Sequence, residues 1–177
     1  MLFLLFGSSA AGKTFTLARL RGSLPAVDVH DFDEAGVPPH PTVEWRHAAN
    51  ERWLRRTIDA ERRGRDLFLA GQTPLGEMLA APSAGEVRIR ACLLDCDDET
   101  RIARIRARGG MWLEDAGAPI EDFVAWGRWM RGHAADGPAT GEHWPIPVID
   151  TTRPVEVVAR QVAEWVARQQ AARDAVR

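Results

Sequence analysis

Short apolar runs alternate with amphipathic stretches along this chain and predict a regular succession of strands and helices. Runs rich in Leu, Val, Ile, Phe and Ala predict strands at 2–6, 26–30, 66–70, 87–94 and 146–150. Apolar residues three or four positions apart predict helices at 13–21, 42–63, 75–80, 98–108, 119–134 and 154–174. This alternation indicates an α/β protein with a parallel sheet and helices on both faces. At 177 residues, of which 45% are hydrophobic, one such domain is expected.

The first apolar run, residues 1–6, differs from a secretory leader. A leader needs a positively charged start and about 7–15 apolar residues before its cleavage site. This run has six apolar residues and no preceding charge, which is typical of a buried parallel strand. No run approaches the length of a membrane span, and two cysteines, Cys92 and Cys96, are too few for a disulfide framework. We therefore expect a cytoplasmic protein with buried thiols.

The residues after this first strand match the phosphate-binding pattern G-x-x-x-x-G-K-[ST] at every fixed position. They are Gly7, Ser8, Ser9, Ala10, Ala11, Gly12, Lys13 and Thr14. Glycines let backbone N–H groups curl around an anion, and the following helix N-terminus adds a favourable dipole. Lys13 is the only lysine among 23 basic residues, at the position where a compact ammonium reaches the β- and γ-phosphates. Thr14 is expected to bind the Mg²⁺ of a nucleotide, and Thr16 to contact that nucleotide.

An acidic cluster follows the second predicted strand, at the edge where parallel sheets bind ligands. Asp31 and Asp33 flank Phe32, so both carboxylates are expected to point to one side, toward the phosphate loop. A kinase that phosphorylates a hydroxyl needs one carboxylate to accept the hydroxyl proton and another to hold magnesium-bound water. The alternative is a solvated turn at the end of the strand. Which of the two acids is the base stays open.

With these motifs, nearly the whole chain resembles the small P-loop kinases of the shikimate, gluconate and adenylate kinase superfamily, which includes antibiotic phosphotransferases of that fold. The resemblance implies a three-layer fold with a five-stranded parallel sheet in the order 2-3-1-4-5. Within one domain, 1–177, it implies an acceptor-binding helical region at 38–64 and a lid at 109–145. Those enzymes carry Asp-x-Asp after strand two, which matches Asp31 and Asp33. One of these acids is then the base, and Asp31 is assigned to magnesium, partly through water.

The predicted helix at 98–108 matches a second feature of those kinases, two arginines four residues apart. By resemblance, Arg104 stacks on the nucleotide base and Arg108 reaches the phosphates. The spacing independently puts both on one helix face, and guanidinium groups are suited to both roles. The alternative is an ordinary solvated face in an arginine-rich chain. Arg101 and Arg106 are expected to be solvated in this way.

Two further segments are assigned to the nucleotide end of the site. The predicted helix at 119–134 carries Arg128 and Arg131, which are expected to close over the transferring phosphoryl group and neutralise its charge. After the last strand, Thr152 and Arg153 belong to a loop that resembles the one bordering the nucleotide base. Because the backbone of such loops reads the base, ATP and GTP are both open as donors.

The end of the third strand departs from the pattern of nucleotide kinases. In nucleoside monophosphate kinases this strand ends in Asp-Gly-x-Pro-Arg, and the arginine grips the acceptor phosphate. In this chain Ala70 replaces the aspartate and Leu75 the arginine. The loss of this clamp favours a neutral hydroxyl compound as the acceptor.

Candidate acceptor-binding residues come from the second helix and from the segments around it. They are Asp33, Arg46, Asn50, Trp53 and Gln72. Trp45, Ala49 and Trp53 lie on one face of the predicted helix, where they either pack the helix against the sheet or form an aromatic platform for a flat substrate. In the second case, Arg46 and Asn50 are the polar groups that recognise the substrate.

Together these features predict a small-molecule kinase that transfers the γ-phosphoryl group of Mg·ATP or Mg·GTP to a substrate hydroxyl. A nucleoside-like natural product or antibiotic, phosphorylated for self-resistance, and a simple metabolite are both open as the acceptor. The alternatives are a nucleoside monophosphate kinase and a non-catalytic nucleotide-binding module. A net charge of −2 provides no basic footprint for nucleic acid.

Overall fold

The computed structural model describes residues 1–109, 117–137 and 143–175. The strands are β1 (Leu2–Phe6), β2 (Val27–Asp31), β3 (Asp66–Gly71), β4 (Ile89–Asp95) and β5 (Val148–Asp150). The helices are α1 (Lys13–Leu20), α2 (Val43–Arg62), α3 (Leu75–Leu79), α4 (Asp98–Ala107), α5 (Ile120–Asp136) and α6 (Val155–Asp174). Every predicted element is present. The sequence did not predict two short 3-10 turns, Phe32–Ala35 and Pro82–Glu86.

The five strands form one parallel sheet in the order β2-β3-β1-β4-β5, as the resemblance implied. The central strand β1 pairs with β3 on one side and β4 on the other, and all five of its residues are buried. Its last residue, Phe6, is in register with Gly71 of β3 and Leu93 of β4. The loop that leaves β1 therefore lies between the carboxyl ends of two neighbouring strands.

Helices cover both faces of the sheet because alternate residues of β1 point to opposite sides. Leu2, Leu4 and Phe6 belong to one apolar cluster, which includes residues of α2, α3 and α5. Phe3 and Leu5 belong to the other, which includes residues of α1 and α6. Within the described ranges, no helix combines the length and the apolar character needed to cross a membrane.

The predicted lid region, 109–145, is described only in part, because residues 110–116 and 138–142 lie outside the described ranges. Its central part is α5. Val124, Gly127, Met130 and Ala134 of this helix are buried, and the last two belong to the same apolar cluster as Phe6. An apolar face of α5 thus packs against the sheet, and Arg131 of this helix lies at the end of β4.

Candidate active site

The phosphate-binding motif forms the loop between β1 and α1, and its glycines are required by the local geometry. Gly12 adopts a left-handed conformation (φ = 84°) at the start of α1. A Cβ atom on Gly7 would lie 2.6 Å from the carbonyl oxygen of Leu94, so only glycine fits this close approach. The Lys13 ammonium folds back over the loop and donates to the carbonyl oxygens of Gly7 at 2.8 Å and Ser8 at 2.9 Å. The loop is therefore a compact cradle with a cation at its centre.

Burial in this cradle lowers the pKa of Lys13 to about 8. This value includes the effects of four charged neighbours: Asp31 and, more weakly, Asp33 raise the pKa, whereas Arg108 and Arg101 lower it. The ammonium therefore lies within the electrostatic reach of both predicted acids, and the cradle carries cations suited to a polyphosphate.

The residues predicted to hold magnesium provide oxygen donors, as Mg²⁺ requires. Thr14 is exposed on the first turn of α1, next to the cradle, and Asp31 ends β2. Among the described residues there is no cluster of three or more His, Cys, Asp or Glu side chains that holds a metal on its own. The donors fit an ion that arrives with nucleotide phosphates and keeps several waters. Thr16 is buried, and its hydroxyl donates to the Gly12 carbonyl oxygen at 3.1 Å.

Asp31 and Asp33 differ in their surroundings, although only Phe32 separates them. Oδ1 of Asp31 accepts a hydrogen bond from the backbone N–H of Asp33 at 3.1 Å, which caps the 3-10 turn after β2. Asp33 lines a pocket on the α2 side of the site. Burial, together with the charge of Asp31, raises the pKa of Asp33 above its usual range, and Lys13 opposes this shift only in part. A carboxylate with a raised pKa is a stronger proton acceptor.

Arg101 is fully buried beneath the phosphate loop, so the expectation that it is solvated is wrong. Nη1 of Arg101 donates to the Ser8 hydroxyl and, at 3.0 Å, to the Ser9 carbonyl oxygen. Nη2 donates to Oδ1 of Asp95 at 2.5 Å and to the Cys96 carbonyl oxygen at 3.3 Å. The guanidinium therefore fastens the phosphate loop to the end of β4. One signal for its burial is that it precedes the buried Ile105 by four residues, on the same helix face.

Gly127 of α5 makes room for this arginine. A Cβ atom there would lie 2.6 Å from Nε and 2.7 Å from Cζ of Arg101. The backbone of α5 can therefore lie directly against the guanidinium, which closes the top of the buried arginine site.

We expect Gly127→Ala to destabilise the protein by about 1–3 kcal/mol, because the added methyl overpacks a fully buried site. Gly132→Ala on the same helix is the matched control, since a Cβ atom there meets nothing within 4 Å. The control should be stabilised by about 0.5–1 kcal/mol through helix propensity alone. Urea denaturation of both variants measures the difference, and equal midpoints would contradict the close packing against Arg101.

The arginines of α5 are held by acidic residues at the end of β4 and the start of α4. Nε of Arg131 donates to Oδ2 of Asp95 at 2.5 Å, and its Nη2 donates to the Cys96 carbonyl oxygen at 3.0 Å. Nε of Arg128 donates to Oδ2 of Asp98 at 2.7 Å. Asp95 therefore binds Arg101 and Arg131 through its two oxygens. The closure of Arg128 and Arg131 over a phosphoryl group stays a prediction. Either arginine would have to leave its carboxylate partner in order to close.

A pocket of 390 Å³ lies on the other side of the phosphate loop, beside the start of α6. Its lining includes Phe15, Thr16, Arg104, Arg108, Arg153 and Val155. Nη1 of Arg104 donates to the Ala10 carbonyl oxygen at 3.2 Å and to the Thr151 hydroxyl at 3.1 Å. This arginine thus joins the phosphate loop to the loop after β5, beside a pocket that is suited to a nucleotide base.

Thr152 is not among the residues that line this pocket. Its backbone N–H and its hydroxyl donate to the carboxylate of Asp150, at 2.9 and 2.8 Å, and its side chain is exposed. These bonds hold the turn after β5, on which Arg153 lines the pocket. A contact of Thr152 with the nucleotide stays a prediction.

The pocket that Asp33 lines has a volume of 300 Å³ and lies at the α2 side of the site. Arg46, Gln72 and Asp33, all predicted to bind the acceptor, line it together. Trp45 of α2 and Trp126 of α5 complete two of its walls. Sequence reasoning did not place Trp126 here, because α5 is distant from α2 along the chain.

Two of the predicted acceptor-binding residues lie behind this pocket, and we correct both assignments. Trp53 is fully buried and donates from Nε1 to the Phe32 carbonyl oxygen at 3.2 Å. Asn50 is also fully buried, and its Oδ1 accepts from the Thr73 hydroxyl at 3.2 Å. Neither side chain is open to a ligand. They support Phe32 and Thr73, which are themselves pocket walls.

Comparison with solved structures finds this architecture in several kinases. The chain matches a sugar kinase from Janibacter sp. HTCC2649 with a TM-score of 0.63 and 16% identity over 94% of each chain. It matches a gluconokinase from Sinorhizobium meliloti 1021 with a TM-score of 0.58 and 13% identity, over 94% of this chain and 91% of that one. No family model matches the sequence, and no curated protein sequence matches it either. The chain therefore has the P-loop kinase fold.

Proposed function

We propose that this protein is a kinase that transfers the γ-phosphoryl group of Mg·ATP or Mg·GTP to a hydroxyl of a small uncharged molecule. The observation that carries the proposal is that Asp33 lines a pocket and also lies within the electrostatic reach of Lys13, the cation at the centre of the phosphate cradle. The structural neighbours support it, because one is a sugar kinase and another a gluconokinase. A nucleoside-like natural product or antibiotic is our proposed acceptor class.

In the proposed reaction, Asp33 accepts the proton of the substrate hydroxyl as its oxygen bonds to the γ-phosphorus. The bond between this phosphorus and the β–γ bridging oxygen breaks, and a nucleoside diphosphate leaves. Lys13 and Arg108 balance the charge of the phosphates, and Arg128 and Arg131 close over the group in transfer. Magnesium, held through Thr14 and Asp31 with water, would screen the phosphate charges when bound.

The surroundings of Arg46 support an acceptor without a phosphate. Arg46 is the only arginine among the described residues that line this pocket, and its Nε lies 3.4 Å from Oε2 of Glu77. Its charge therefore already has a carboxylate neighbour, although no hydrogen bond joins these two atoms. A phosphate-bearing acceptor would have to displace Glu77 and approach Asp33, another anion, at the same time.

The decisive experiment is a phosphate-transfer screen over nucleosides, sugars and hydroxyl-bearing antibiotics with ATP and GTP, in which mass spectrometry detects the gain of one phosphoryl group. We expect a neutral hydroxyl compound to gain it. Lys13→Ala should slow the transfer by about 10²–10³-fold, because the transferring group loses a charged donor. Transfer to nucleoside monophosphates alone would make the acceptor assignment wrong, and no transfer at all would leave only nucleotide binding.

The pKa of Lys13 predicts a pH dependence. The ammonium that binds phosphate is present below its pKa of about 8 and is lost above it. The constant kcat/KM for the nucleotide reports the pKa values of the free enzyme. We therefore expect kcat/KM to fall above pH 8, by about tenfold per pH unit. Bound phosphates stabilise the ammonium, so kcat at saturating nucleotide should fall only at higher pH. A flat kcat/KM profile up to pH 10 would contradict this role for Lys13.

A further inference from the structure

The acceptor pocket has aromatic walls contributed by two separate helices. Trp45 of α2 and Trp126 of α5 line the same 300 Å³ space as Asp33. The ring of Trp126 is stacked on Trp129, with centroids 4.6 Å apart and planes 2° from parallel. One face of Trp126 is therefore covered, while the rest of this indole still reaches the pocket.

Trp45 is also fixed by an aromatic neighbour. Its ring contacts Phe32 edge-on, with centroids 6.1 Å apart and planes at 80°. Phe32 itself is buried, and its Cβ lies against Gly71 at the end of β3, where an added methyl would come within 2.7 Å. Both indoles are thus held in defined positions before any ligand binds, which reduces the entropy lost when a ring packs against them.

The polar groups of this pocket are few and carry little net positive charge. Arg46 and Asp33 are the two charged groups among the described lining residues, and Arg46 already has an anionic neighbour, with its Nε 3.4 Å from Oε2 of Glu77. Gln72 and Thr73 add neutral donors and acceptors. A sugar acid would bring a second carboxylate next to Asp33, where the nearby Lys13 is also needed for the phosphates, which is unfavourable. A sugar would contact the indoles only through the C–H faces of its ring, and its many hydroxyls would find few polar partners besides Gln72 and Thr73.

We propose that the acceptor carries a flat aromatic or heteroaromatic ring that packs against Trp45 and Trp126 and presents its hydroxyl to Asp33. Indole rings attract such rings through offset or edge contacts that add to the burial of apolar area. This inference rests on the proposed kinase function and narrows its acceptor to uncharged ring-bearing alcohols. It also predicts that sugar acids are poor acceptors.

The test compares two alcohols of similar size, 2-phenylethanol and 2-cyclohexylethanol, with glucose and gluconate as polar probes. Binding is measured by ligand-observed NMR with a non-hydrolysable ATP analogue present, so that it does not depend on turnover. We expect the wild-type protein to bind the phenyl compound about fivefold or more tightly than the cyclohexyl compound, as stacking on two rings predicts. Glucose and gluconate should bind more weakly than either.

The variants separate aromatic contact from general hydrophobicity. Trp45→Leu and Trp126→Leu should reduce the phenyl preference to about twofold or less, whereas Trp126→Phe should keep most of it. Trp165→Phe is the control, because Trp165 packs on Phe3 on the opposite face of the sheet. Thermal melts of each variant, compared with this control, show whether a loss of preference comes from unfolding.

Each outcome bears on one of the two proposals. Equal binding of the two alcohols, tighter binding of gluconate, or a preference unchanged in both leucine variants overturns the ring inference. Transfer to glucose in that case leaves the kinase function intact. A tryptophan-dependent phenyl preference supports the ring site, and transfer to a ring-bearing alcohol in the same screen supports its role as the acceptor site. A ring preference without transfer to any alcohol shows that the kinase proposal, and with it the acceptor role, has failed.

Discussion

Asp33→Asn is expected to lower kcat by about 10²–10⁴-fold, because the amide cannot accept the proton of the acceptor hydroxyl. Asp33 lines the acceptor pocket, and burial together with Asp31 raises its pKa, both of which suit a general base. The affinity for the nucleotide should change little. Initial rates at saturating substrates give kcat, and calorimetry with a non-hydrolysable nucleotide gives the affinity.

Asp31→Asn is the matched comparison, since Asp31 lies two residues away on the phosphate side of the same turn. Of the charges that raise the pKa of Lys13, that of Asp31 has the largest effect, and Oδ1 of Asp31 caps the turn. We expect this variant to require more magnesium for half-maximal rate and to lose less of kcat at saturating metal. If the two variants showed the same kinetics, the division of roles between the acids would be wrong.

Arg101→Met is expected to destabilise the fold by about 3–5 kcal/mol, because it leaves Asp95 in a buried site without its inner partner. The substitution also removes the donors to the Ser8 hydroxyl and the Ser9 carbonyl oxygen, so the phosphate loop loses its attachment to β4. The free energy of unfolding from urea titration measures the first effect. Nucleotide affinity, measured at a temperature where the variant is folded, reports the second.

Two controls distinguish the buried ion pair from the loss of an arginine in general. Arg106→Met changes an exposed residue of the same helix and should alter stability by less than about 0.5 kcal/mol. Arg101→Met combined with Asp95→Asn should recover part of the lost stability, because the buried carboxylate charge is removed while Arg131 keeps the Cys96 carbonyl oxygen and Asp98 as neighbours. If Arg101→Met were as stable as Arg106→Met, this arginine would not support the loop.

Asp95 connects Arg101 to α5, the central part of the predicted lid. It binds Arg101 with Oδ1 and Arg131 with Oδ2, both at 2.5 Å, at the end of a buried strand. A nucleotide that attracts Arg131 must compete with this carboxylate, while Arg101 keeps the other oxygen. Movement of α5 toward phosphate would therefore leave Asp95 partnered, and the phosphate loop would keep its support.

Much of the fold and the phosphate loop could be predicted from local patterns. The strand and the phosphate loop are encoded by residues that are close together along the chain: the apolar run at 2–6, the glycines at 7 and 12 and the lysine at 13. Such a motif can be recognised without knowledge of distant segments. The acids at 31 and 33 could be placed for a similar reason, because they directly follow a strand. The difference between the surroundings of Asp31 and Asp33 could not be predicted, because it depends on α2 and on Lys13.

The errors concern residues whose environment is set by distant segments. Arg101 has the sequence context of an exposed arginine, yet Gly127, Asp95 and the phosphate loop enclose it. The helical spacing of Trp53 allowed either packing against the sheet or a contact with substrate, and the structure shows packing, since its indole is covered and donates to the Phe32 carbonyl oxygen.

By itself, the sequence determined the order of strands and helices, the phosphate cradle with its lone lysine, and the position of two carboxylates beside it. Only the tertiary structure decided which acid lines the proposed acceptor pocket, that Trp126 joins Trp45 there, and that an arginine lies buried under the loop. The physical reason is that helix periodicity and motif spacing are local properties. Burial and pKa depend on groups that meet only when the sheet assembles.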